Sequence, residues 1–232
     1  VPFEVDTNGT LETNLKFYAR FEENTGTTTT DAIGNKIGTL QAGATWIAGK
    51  VGNGIAGGGT DLTSIQYTGD PPITVVNNWS MTAWVKPKTL PVTNGQIISN
   101  DSTGTAGYLM LIGDGNGGSG SQLEVLFGFV AWIGSGTNLT LNVWQHVVVL
   151  RSAGTTKFYI NAVQTPNTST ATPLTPAGAL RIGDKANDID ECGMWTKALT
   201  QQEITDLYNG GAGNAYAIAD ERFHHRQELW VP

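Results

Sequence analysis

The sequence predicts an all-β protein in which two antiparallel sheets pack face to face, with one short helix near residues 200–209. Three observations carry this. Apolar and polar residues alternate in short runs along most of the chain, Gly, Asn, Asp, Thr and Pro interrupt those runs, and a single segment bears helix start and stop signals.

The first run is "NLKFYARFE" (14–22), with Leu15, Phe17, Ala19 and Phe21 on one face and Lys16, Tyr18, Arg20 and Glu22 on the other. Similar runs follow at 79–87, 107–113, 122–129, 143–151 and 156–164, with shorter ones near Ile37, Trp46, Ile65, Ile97, Ile182 and Ile189. In "LTQQEITDLYNGG", Thr200 and Glu203 form a capping box, Leu199 and Ile204 a hydrophobic staple, and Asn209-Gly210 a C-terminal stop. The chain divides into an N-terminal segment (1–12), the sandwich (13–210) and a C-terminal arm (211–232) rich in Ala, charge and His.

A chain of 232 residues is long enough to bury one large core. Its 13 Lys plus Arg against 20 Asp plus Glu give a net charge of −7, a field that repels phosphate backbones and anionic lipid heads. Nucleic acid is therefore excluded as a partner, and no apolar run is long enough to insert across a bilayer as a helix. The single cysteine, Cys192, rules out an internal disulfide. A start at Val1 is expected of a processed chain, a fragment or an excised domain.

The succession "LKFYARFEENTGTTTTDAIGN", "GTLQAGATWIAGKVGNGI", "WSMTAWVKPKTL", "QIIS", "GYLMLI", "VWQHVVVLRSAGTTKFYINAVQ" and "IDECGMWTKALTQQEITDLYN" resembles the laminin G-like domains of the concanavalin A-like lectin and glucanase superfamily, in order from about residue 13 to 210. The resemblance implies a jelly-roll sandwich. It departs from the family pattern at "GIAGGGTDLTSIQYTGDPPITVVNN", which is longer and Gly-rich, and in the tail after Gly210.

Catalytic motifs are scarce. The two GxGxxG matches, Gly52-Gly54-Gly57 and Gly113-Gly115-Gly118, lack the strand-to-helix context of a phosphate cradle and read as turns. His146 reads as a hydrogen-bonded structural imidazole, and the adjacent His224 and His225 as a pair pointing apart. "RIGDKANDIDECGMW" (181–195) gathers Asp184, Asp188, Asp190 and Glu191, but without the two glutamates on one strand that superfamily glucanases use for retaining hydrolysis. By resemblance, Glu22, Asp31 and Asp190 would meet where the first and last strands join and hold a structural Ca²⁺; the alternative is that Asp190 caps neighbouring backbone amides.

Sugar recognition needs exposed aromatic rings for stacking and polar side chains for hydroxyls. Trp46, Trp84, Trp144 and Trp195 fall in segments shared with the family and read as scaffold. Tyr67, Tyr108 and Trp132, with Asp114, Asn116, Asp184 and Asn187, are the expected ligand-binding set. The functional expectation is a non-catalytic, extracellular or surface-displayed module that binds a carbohydrate or glycoconjugate. The alternative is a structural or decoration subunit of a virion, filament or surface layer, joined to other subunits through residues 211–232. Glycoside hydrolysis ranks below both.

Overall fold

The computed structural model describes residues 10–41, 43–58, 64–101 and 105–214. The expectations for residues 1–9 and 215–232, including His224 and His225, lie outside these residues. The strands are β1 (Leu15–Ala19), β2 (Thr28–Thr30), β3 (Ile37–Leu40), β4 (Thr45–Ala48), β5 (Asn53–Ala56), β6 (Ile65–Tyr67), β7 (Trp79–Pro87), β8 (Val92–Thr93), β9 (Gly95–Asp101), β10 (Gly107–Gly113), β11 (Ser119–Gly120), β12 (Gln122–Phe127), β13 (Ala131–Asn138), β14 (Gln145–Ser152), β15 (Thr155–Ile160), β16 (Val163–Ser169), β17 (Arg181–Ile182) and β18 (Asn187–Trp195). One helix, α1 (Gln201–Tyr208), follows them.

The strands form two antiparallel sheets and a short ribbon of β8 with β11. The first sheet has the order β16-β15-β14-β7-β18-β5-β4, and the second β13-β12-β10-β9-β17-β6-β3-β2. β18 has two partners along one edge: Asp188 and Ile189 pair with β5, and Cys192 to Trp195 pair with β1. Its other edge pairs with β7 throughout, around a bulge between Asp190 and Gly193.

Alternation builds the core. Phe17, Ala19, Met81, Ala83, Val85, Val147, Val149, Phe158 and Met194 of the first sheet meet Ile65, Tyr67, Ile98, Met110, Ile112, Leu123, Val125, Phe127 and Ile182 of the second. Burying each large apolar side chain contributes about 1.5–3 kcal/mol.

A second apolar cluster covers the far side of the first sheet. Leu199, Ile204 and Leu207, from α1 and its approach, join Leu11, Tyr18, Val148, Leu150, Tyr159 and Trp195. The helix starts as its sequence specifies: Thr200 Oγ1 accepts from the Glu203 amide at 3.2 Å, and Glu203 Oε2 accepts from the Thr200 amide at 2.8 Å. Asn209, at φ 46°, ends it in the left-handed region. The helix thus covers part of the outer face of the first sheet, and among the described residues no helix lies on the outer face of the second.

Three details depart from the sequence expectation. The first run stops at Ala19 as a strand, and Phe21 turns at φ 57° while still entering the core. The run at 156–164 is a hairpin that turns at Asn161 and Ala162, both with positive φ. β13 carries no alternation signal, because Gly134 and Gly136 occupy positions where a strand shows side chains.

Candidate functional site

Leu123, Val125 and Phe127 of β12 point into the core, so Gln122, Glu124 and Leu126 face outwards. The register places Leu126 opposite Trp132 and Glu124 opposite Gly134 on β13, and Glu124 opposite Leu111 on β10. Over this face folds the β10–β11 connection, residues 114–118, with the sequence DGNGG.

The connection is held by its own first residue. Asp114 Oδ1 accepts from the amides of Asn116 and Gly118, each at 2.8 Å. Gln122 Nε2 donates to the Asp114 carbonyl at 3.1 Å, and Gln122 Oε1 accepts from the Gly136 amide at 2.9 Å. The backbones come so close that a Cβ on Gly134 would lie 2.7 Å from Gly115 Cα. A Cβ on Gly117, at φ 83°, would lie 2.7 Å from Trp132 Cε2. The half-buried Trp132 ring thus rests against the connection, beside exposed Asn116.

Glu124 lies beneath and is fully buried, although it sits on the outer face of its sheet. Its Oε2 accepts from the Gly115 amide. Its Oε1 is buried without a hydrogen-bond partner. Burial, and less strongly the charge of Asp114, raises the Glu124 carboxyl above its ordinary range despite the opposing pull of the Gly115 and Gly117 amides. Asp114 is shifted the other way, lowered by the amides of Asn116 and Gly118.

Three of the expected ligand-binding residues, Asp114, Asn116 and Trp132, therefore come together at this connection. The other four do not join them. Tyr67 is a core residue, its ring edge-on to Phe17 at a centroid distance of 4.9 Å. Tyr108 is fully buried against Trp79, with its hydroxyl donating to the Val75 carbonyl at 3.1 Å. Asp184 and Asn187 are buried at the start of β18: Asp184 Oδ2 accepts from the Gln96 amide at 2.9 Å, Asp184 Oδ1 from the Ala186 amide at 2.8 Å, and Asn187 Nδ2 donates to the Gln96 carbonyl at 3.2 Å. Burial pushes the Asp184 carboxyl up to about 6. These four are corrected from ligand contacts to packing and turn residues, since a ring or carboxylate closed off from solvent cannot meet a sugar.

Glu124 and Gln122 were missed as site residues. A carboxylate alternating with Leu123, Val125 and Phe127 is the signal that marks them.

The residues expected to hold calcium accept hydrogen bonds from N–H groups. Asp31 Oδ1 accepts from the amides of Tyr18 and Ile33 at 2.9 and 3.0 Å, and Oδ2 from Gly34 at 2.8 Å. Asp190 Oδ2 accepts from the Lys50 and Val51 amides and Oδ1 from that of Glu191, each at 2.8 Å. Glu22 Oε2 takes the Asn53 backbone and side-chain N–H groups at 3.3 Å. Among the described residues no three His, Cys, Asp or Glu side chains group as metal ligands. Glu22, Asp31 and Asp190 thus fit backbone capping rather than Ca²⁺ coordination.

The rest of the acidic stretch is structural as well. Asp188 pairs with Lys86 at 2.7 Å and Lys88 at 3.4 Å. Glu191 sits at φ 46° in the β18 bulge, and burial pushes it and Asp190 above the carboxylate range, with the Asp190 charge adding to the effect on Glu191. His146 is packed between Trp84 and Tyr208, at centroid distances of 5.4 and 6.5 Å, with no hydrogen bond to Nδ1, where a hydrogen-bonded imidazole was expected.

Known proteins share this architecture. The chain is similar to the binding domain of Paraclostridial Mosquitocidal Protein 1, at 16% identity and a TM-score of 0.65 over 85% of this chain and 52% of that one. It is similar to domain 4 of AbnA, a GH43 extracellular arabinanase from Geobacillus stearothermophilus solved with arabinotriose, at 20% identity and a TM-score of 0.63 over 83% of this chain and 97% of that one. A structure of botulinum neurotoxin type C, whose cell entry depends on two ganglioside molecules, matches at 15% identity and a TM-score of 0.62 over 84% of this chain and 51% of that one. The chain thus spans about half the length of the toxin chains and nearly all of the arabinanase domain. Among curated protein sequences no relative matches. At these identities the likeness establishes the fold. A family model matches residues 58–205, more than half of the chain, and the paired antiparallel layers agree with it, so the chain belongs to the concanavalin A-like lectin/glucanases superfamily.

Proposed function

We propose that this chain is a non-catalytic, extracellular carbohydrate- or glycoconjugate-binding module that recognises its ligand at the β10–β11 connection. The observation that carries this reading is the convergence of Trp132, Asp114 and Asn116 on the outer face of the second sheet, the face left over by α1. A half-exposed indole offers a flat apolar surface to a pyranose or furanose ring, and the neighbouring carboxylate and amide offer acceptors and donors for its hydroxyls. The arabinanase domain solved with arabinotriose and the ganglioside-dependent neurotoxin give the reading its support in ligand class. No helix among the described residues is long and apolar enough to cross a membrane, which agrees with a module acting at a glycan surface.

Non-catalytic action is favoured by the placing of the acids. Glu124, the carboxyl next to Asp114, is closed off beneath the connection, and the 188–191 carboxylates are buried, so no accessible pair flanks a glycosidic bond here. The test is affinity electrophoresis or a glycan array with arabino-oligosaccharides and ganglioside headgroups among the probes. Binding by the parent chain, and loss of at least tenfold in Trp132→Ala with the melting temperature kept, supports the reading; no binding to any glycan sinks it.

A second reading, assembly into a larger structure, is favoured by a different observation. The β12–β13 hairpin tip presents Phe129, 81% exposed, and Val130, 43% exposed. Sedimentation of the parent against Phe129→Ser distinguishes an oligomer held by this tip from a monomeric binding module.

A further inference from the structure

The charge around the β10–β11 connection has one sign. From Thr89 to Leu150 the chain contains no Lys or Arg, and its acids there are Asp101, Asp114 and Glu124. That stretch supplies β9, β10, β12 and β13, four adjacent strands of the second sheet, together with residues 114–118. The row of outward residues that crosses the sheet at Trp132 reaches a cation only at Arg181: Trp132 pairs with Leu126, Leu126 with Leu109, Leu109 with Ser99 and Ser99 with Arg181. Four strand spacings put the two ends of this row about 19 Å apart. Even with the arginine stretched along the row, the gap exceeds the Debye length of about 8 Å at physiological salt. Lys157, on β15, alternates with the core residue Phe158 and so faces away from the second sheet.

The hydrogen-bonding groups agree with the charge. The groups that act on the Asp114 carboxyl are backbone amides, of Asn116, Gly118 and Asp114 itself, and among the described residues no Lys or Arg pairs with it. These amides hold the carboxyl below its ordinary range, so it is ionised at neutral pH. Its oxygens can accept from a sugar hydroxyl. A ligand carboxylate or sulfate placed there would meet an acceptor of its own sign and find no cation to replace the water it gives up. We infer, on the reading of this surface as a glycan site, that Trp132, Asp114 and Asn116 select uncharged sugar residues and exclude glycans that place a carboxylate or sulfate at the connection. The indole stacks on the ring face of either class, so the exclusion resides in the charge of Asp114.

The test is an array on which arabino-oligosaccharides stand beside the same chains oxidised to a terminal carboxylate, and asialo-ganglioside headgroups beside sialylated ones. The full chain binds the neutral member of a pair about tenfold or more tightly than the acidic one. Raising NaCl from about 20 mM to about 500 mM narrows that ratio, because screening weakens the repulsion. Asn116→Lys, whose backbone amide still donates to Asp114, lowers the ratio about tenfold, and Asp114→Asn about threefold. A ratio separates selection from any general loss of affinity or fold. Equal binding of both members of a pair, lost together in Trp132→Ala, overturns the exclusion and leaves the glycan-binding surface standing. An unchanged ratio in Asn116→Lys also overturns it, since selection would then arise away from the connection. Absence of binding to every glycan removes the surface itself, and the exclusion with it.

Discussion

Trp79 of β7 and Tyr108 of β10 stack across the sandwich with ring centroids 4.2 Å apart and planes 8° from parallel, joining the two sheets through one aromatic pair. Phe127 meets the same indole edge-on at 6.2 Å. Tyr108→Ala is expected to cost about 3–5 kcal/mol in urea denaturation, and Tyr108→Phe, which keeps the ring and loses the hydroxyl's bonds to the Val75 carbonyl and the Asn100 side chain, about 1–2 kcal/mol. Glycan affinity of folded Tyr108→Phe stays at the parent level; a drop would return this tyrosine to the binding site.

Gly117 is the point at which loop and indole are matched. Gly117→Ala forces a Cβ into Trp132 at a positive φ, so the ring must shift. Stability falls by about 1–2 kcal/mol while glycan binding falls at least tenfold, read by thermal melts and affinity electrophoresis on the same preparation. Equal binding by the variant would show that Trp132 does not contact the ligand.

Asp31 caps three amides at the turn after β2. Asp31→Ala leaves the Tyr18, Ile33 and Gly34 N–H groups without their acceptor and is expected to lose about 3 kcal/mol or more. The loss is the same in Ca²⁺ and in chelator. A deficit seen only with Ca²⁺ present would reinstate Asp31 as a ligand.

His146 sets an acid limit. Burial lowers its pKa from about 6.5 to about 3. Between those values the unfolded chain binds a proton that the folded chain does not, so stability falls as pH drops through that window, by about 1.4 kcal/mol per pH unit at most. His146→Phe should flatten the decline, gaining about 3 kcal/mol relative to the parent on going from pH 7 to pH 4. Asp184, raised by burial, acts in the opposite sense between about pH 6 and 4, and its contribution cancels when variant and parent are compared. Identical pH profiles would rule the imidazole out.

The layers were readable in the sequence because alternation is a property of single residues: Leu15, Phe17, Ala19 and Phe21 are all buried, and Thr200, Glu203 and Asn209 act at the helix ends as their types demand. The site was only partly readable. Trp132, Asp114 and Asn116 meet because a glycine connection doubles back over β13, and glycines record where backbone must pass without saying which backbone. Tyr67 and Tyr108 misled because loops flank them in sequence, whereas strand phase turns both rings inwards. The β18 acids could not be assigned from spacing, since the bulge at Glu191 resets the alternation on which any facing argument depends.

β18 pairs with β1, β5 and β7, strands that emerge from the ribosome long before it does. Until residue 195 has been synthesised, those three lack their common neighbour and leave exposed edges that invite pairing with other chains. Closure of the domain is therefore a late event in the order of synthesis, since the strand that joins these three is the last one made.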